Sequence, residues 1–62
     1  MVVELEPGVW LAPWKGDPGR TLDVATAKVF KTGASARRAL EQARRYRPFK
    51  NARVVRVEEV GL

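Results

Sequence analysis

A chain of 62 residues with no cysteine and no histidine has no disulfides and lacks the commonest metal ligands, so its stability must come from one small core or from association. At 45% apolar and 31% charged its composition is globular rather than disordered, and no apolar run approaches the ~20 residues of a membrane span. The net charge of +5 is unevenly placed: residues 28–57 carry ten basic side chains against Glu41 alone, while the segments on either side are each acidic by two. Such a field favours polyanions or acidic partners in general and specifies none of them.

The opening MVVELEPG lacks the basic-then-apolar order of a signal peptide, so a cytoplasmic setting is expected. Residues 2–6 and 9–14 are β-rich runs separated by Pro7-Gly8, which predicts a hairpin. A Pro-Gly pair favours a type II turn, whose twist suits a two-residue hairpin poorly, so a bulge or a wider loop is in prospect. Alternation turns Val3 and Leu5 to one face of the first strand and Glu4 and Glu6 to water. In the second strand Val9 and Leu11 share a face, and Trp10, Ala12 and Trp14 share the other. Pro13 has no N–H to donate and limits pairing on both sides. The stretch WKGDPGR that follows turns twice and is the one loop to suspect of function.

Thr21 or Asp23 can cap a single helical turn, with Val24 and Ala27 facing inward. Residues 28–31 read as a short strand through Val29 and Phe30. The clearest period lies in residues 32–47, TGASARRALEQARRYR: Ala36, Ala39, Leu40, Ala43 and Tyr46 fall on one face of a helix, and Arg37, Glu41, Arg44 and Arg45 on the other. Thr32 or Ser35 caps this helix, and Pro48 ends it near Arg47. In a final strand over residues 52–60, Val54 lies on one face and Val55 and Val57 on the other, the pattern of a strand covered on both sides or bulged near Arg56. The whole predicts a single α+β domain over residues 1–62. It is a small antiparallel sheet of about three to four strands with one principal helix packed on one face, in the order β-β-(β)-α-β.

The segment Asp23-Val24-x-x-Ala27-x-x-Phe30-x-Thr32-x-x-x-Ala36-x-x-Ala39-Leu40, followed by Val54-Val55-Arg56-Val57, resembles a group of very short phage and bacterial proteins. In these, an opening hairpin precedes an Asp-Leu-x-x-Ala-x-x-Phe-x-Thr turn, a helix and a last strand. Here Val24 stands where Leu is commoner, and Gly33 falls early in the helix. The resemblance covers most of the chain, implies the same α+β order and brings no activity with it. A weaker likeness is to small antitoxin domains with strands before a Thr-initiated helix, although their turn before that helix is missing.

Catalytic chemistry has few candidates. Ser35 sits in a cap context, Asp17 and Asp23 have turn and cap roles, and Glu58 and Glu59 would point to opposite faces of a strand. No enzyme activity, cofactor or metal site is expected; a deep polar cleft at Asp17 and Arg20 would argue the reverse. The leading expectation is a small non-catalytic protein-interaction or self-associating module, a homo-oligomer joined at an open sheet edge. A partner would then cover whichever of Val54 and Val55 the helix leaves bare. The alternative is nucleic-acid binding through the basic helix face and the hairpin tryptophans. Its candidate residues are Arg37, Arg44, Arg45 and Lys50 on one side and Trp10, Trp14, Lys15 and Arg20 on the other. In the plainer account of the same residues, the arginines are a solvated face and the tryptophans fill a core short of large aliphatics.

Overall fold

The computed structural model describes residues 1–61, in which Val2–Glu6 (β1) and Val9–Leu11 (β2) flank a two-residue turn at Pro7-Gly8. Gly8 adopts φ +78°, the conformation a type II turn needs at its third residue. The turn's poor match to strand twist is absorbed by a bulge: Glu4 pairs with Trp10 and Glu6 with Val9, leaving Leu5 as the extra residue. Glu4 closes the hairpin from its side chain, accepting a hydrogen bond from the Gly8 N–H at 3.3 Å.

Arg20–Thr21 (β3) pairs with β2, and Arg53–Val55 (β4) pairs with β1, to give an antiparallel sheet in the order β3-β2-β1-β4. The third strand is therefore not at residues 28–31. That segment runs beside the sheet without joining its ladder: the Lys28 N–H donates to the Leu11 carbonyl, and Phe30 exchanges two hydrogen bonds with Met1.

Of the two caps the sequence offers, Thr32 is the one used, and the helix (α1, Gly33–Ala43) starts directly after it. The Thr32 hydroxyl oxygen accepts from the Ser35 N–H at 3.1 Å. Thr32→Ala is expected to lower stability by about 0.5–2 kcal/mol, read as a reduced urea midpoint at unchanged m-value. Ala36, Leu40 and Ala43 are buried against Val3, Leu5 and Leu11, and the small alanines let the helix axis lie close to the sheet. The helix ends before Arg47, and residues 44–46 form a turn, so Tyr46 does not join the buried face and is 57% exposed. Phe49 returns to the same core with φ +44° and is 5% exposed.

Water is excluded from much of the opposite face too. Val2, Trp10, Ala27 and Val55 form a second buried cluster there. Val24, from the 3-10 turn Val24–Thr26, and Val57 and Val60, from the 3-10 turn Val57–Val60, close over it. Asp23 caps the first of these turns, its carboxylate accepting from the Ala25 N–H at 3.0 Å. The expected strand over residues 52–60 thus covers only Arg53–Val55 before coiling. Val55, left bare by the helix, is covered by its own chain, and Glu58 and Glu59 lie exposed on the second turn.

On this face β1 and β4 are tied by an ion pair, Arg53 Nε to Glu4 Oε1 at 2.8 Å. The Arg53 hydrogen bond holds the Glu4 carboxyl below the ordinary glutamate range; partial burial opposes this, and the Gly8 N–H adds to it. Because the folded pKa is the lower one, the stabilisation is complete above the ordinary value of about 4.3 and is lost as pH falls through the folded pKa. Urea unfolding from about pH 6 down to about pH 2 should show a steeper acid loss for the parent than for Glu4→Gln.

Candidate functional site

The WKGDPGR loop is closed at its base by the Ala12 N–H donating to the Gly19 carbonyl at 2.9 Å, and Pro18 and Gly19 are buried. A Cβ on Gly16 would lie 2.6 Å from the Gly19 Cα, and one on Gly19 would collide with the Trp14 carbonyl oxygen. Both positions therefore require glycine, for space. This close packing sets one edge of the Trp14 indole beside Gly19 and leaves the residue 51% exposed.

Between the loop and the C-terminal half of α1 lies a groove of about 420 Å³. Its buried and half-buried lining includes Leu11, Ala12, Phe30, Ala39 and Ala43; its exposed lining includes Trp14, Lys15, Lys28, Gln42, Arg45 and Tyr46. Lys28 Nζ stands 5.3 Å from the centroid of the Phe30 ring, a cation–π contact that fixes one positive charge over an apolar floor. No lining residue is acidic. An anion entering the groove therefore meets three cations without a competing carboxylate on its walls.

The residues singled out from the sequence do not all meet here. Trp14, Lys15 and Arg45 line the groove, whereas Trp10 is 8% exposed in the second core cluster and does not line it. Arg44 points away into an ion pair with Glu41 at 3.2 Å. Arg37 borders a separate depression with Met1, Val54 and Arg56, and Lys50 another with Leu5, Pro48 and Phe49. Arg20 lies on the sheet edge beside Val9 and Leu22, its guanidinium donating to the Asp17 carbonyl at 3.5 Å; both residues are exposed and neither lines the groove.

Sequence reasoning missed Lys28 and Tyr46. Lys28 was hidden by its reading as a strand residue, and Tyr46 by its reading as part of the buried helix face. The signal for Tyr46 was the run Arg44-Arg45-Tyr46-Arg47-Pro48, in which basic side chains enclose an aromatic next to a helix breaker.

Among the described residues no helix is long and apolar enough to cross a membrane, and no group of three or more acidic, histidine or cysteine side chains could hold a metal ion. No protein-family model matches the chain, and neither a curated protein nor a solved structure matches it.

Proposed function

We propose that the protein is a small non-catalytic binding module that takes a negatively charged partner into the groove between the 13–19 loop and α1. The observation that carries this reading is the meeting of three cations and two exposed aromatic side chains on one concave surface whose lining contains no acid. The same lining supplies no carboxylate, imidazole or thiol and no hydroxyl besides that of Tyr46, which favours binding over chemistry. Self-association through a sheet edge has less support. The two edge strands are two and three residues long, against about 5–6 for an ordinary strand, and Val55 is already covered.

Tryptophan fluorescence offers a direct test, since Trp14 is exposed and Trp10 buried. Oligothymidylate and poly-glutamate, both anionic, are titrated into the protein at about 50 mM and about 200 mM salt. At least one should quench or shift the emission, more weakly at the higher salt. Replacing Lys15, Lys28 and Arg45 together by alanine should abolish the response. Silence from both ligands at the lower salt, or an unchanged response in the triple variant, would remove the reading.

A further inference from the structure

Building on that reading, we infer that the groove takes single-stranded nucleic acid. Bases stack on the open faces of Trp14 and Tyr46, and phosphates meet Lys15, Lys28 and Arg45. The lining brings together flat apolar rings and cations, the two kinds of group that bases and phosphates each require, and nothing in it repels a phosphate backbone. Arg45 brings a planar fork of donors suited to phosphate oxygens, and Lys28 brings a charge already held over the Phe30 ring.

A duplex keeps its base faces stacked internally and would leave both aromatic side chains idle. An acidic peptide would use the cations but has no general need for two exposed rings. At about 420 Å³ the groove sits near the small end of ligand clefts, a size for a short length of single strand crossing it rather than for a helix. The loop is also prepared for the role: close packing at Gly16 and Gly19 holds Trp14 in place, so little ordering is left to be done on binding.

The experiment measures binding of a fluorescent oligothymidylate of about ten nucleotides by anisotropy, beside the same strand annealed to its complement and a poly-glutamate of equal charge. With three phosphates engaged, log K should fall against log salt with a slope of about −2, and with a slope of about −0.7 in Lys15→Gln/Arg45→Gln. Trp14→Ala should weaken binding about tenfold or more, Trp14→Phe much less, and Tyr46→Ala should resemble Trp14→Ala. Arg37→Gln, which alters a charge outside the groove, should bind as the parent does. Circular dichroism confirms that each variant is folded, which the exposure of both aromatic residues leads one to expect.

Preference for the single strand together with the loss in Trp14→Ala supports the inference. If poly-glutamate binds at least as well as the oligonucleotide, or if the duplex binds equally and Trp14→Ala changes nothing, the inference is overturned while the anion-binding groove stands. If no anion binds at low salt, both fall together.

Discussion

Phe49→Ala is expected to lower the unfolding free energy by about 3–5 kcal/mol, a large part of the ~3–9 kcal/mol that a domain of this length has in total. The ring is 5% exposed and lies in the cluster of Val3, Leu5, Leu11, Leu40 and the helix alanines, where no other aromatic is buried. Its backbone sits at φ +44°, a region that costs a non-glycine residue roughly 1 kcal/mol, and burial of the ring offsets that cost. Two substitutions separate the effects. Alanine loses the ring and keeps the unfavourable backbone, whereas glycine loses the ring and relieves it. Phe49→Gly should therefore be less damaging than Phe49→Ala by about 1 kcal/mol, the reverse of the usual order at an ordinary site. Urea midpoints of the two variants decide the matter, and equal midpoints would mean that the backbone at Phe49 carries no strain.

Trp10→Ala should be of comparable severity, about 3–5 kcal/mol, for a different reason. Trp10 is the largest side chain on the second face of the sheet, where Val2, Ala27 and Val55 pack around it and Val24, Val57 and Val60 close over it. Removing the indole takes the largest member out of the cluster against which both 3-10 turns pack. Thermal unfolding should show the loss directly, and Trp10→Phe should recover a good part of it. The contrast with Trp14 is the informative part: Trp10→Phe should leave ligand binding unchanged, and Trp14→Ala should leave the melting temperature nearly unchanged. Reversal of that pattern would mean that the roles of the two tryptophans have been exchanged.

These two residues also show what the chain discloses by inspection. The helix was readable because Ala36, Leu40 and Ala43 repeat at a helical spacing behind a threonine cap, and its packing on an antiparallel sheet followed from the hairpin before it and the valines after it. Trp10 and Trp14 share a face only if the strand continues, and β2 stops at Leu11, so alternation no longer governs Trp14. Tyr46 was misplaced in the same way, because the helical period was carried three residues beyond Ala43. β3 contains two residues, too few for any period to register, and the extended segment over residues 28–30 imitates the missing strand. Burial of Phe49 depends on a left-handed backbone that its residue type gives no reason to expect. The groove was half legible for the same reasons: Trp14, Lys15 and Arg45 were noticed for their chemistry, but what joins them to Lys28 and Tyr46 is where elements end.

The position of β1 at the middle of the sheet has a kinetic consequence. Its neighbour β4 pairs Val55 with Val2 and Arg53 with Glu4, residues separated by almost the full length of the chain. Closing so wide a loop is slow and brings no reward until the far segment docks, so the rate-limiting event of folding should be the arrival of β4 rather than the coiling of α1. The amide proton of Val3, which pairs with Val54 in the middle of the sheet, should accordingly exchange only through global opening, while those of β3 exchange through local fraying.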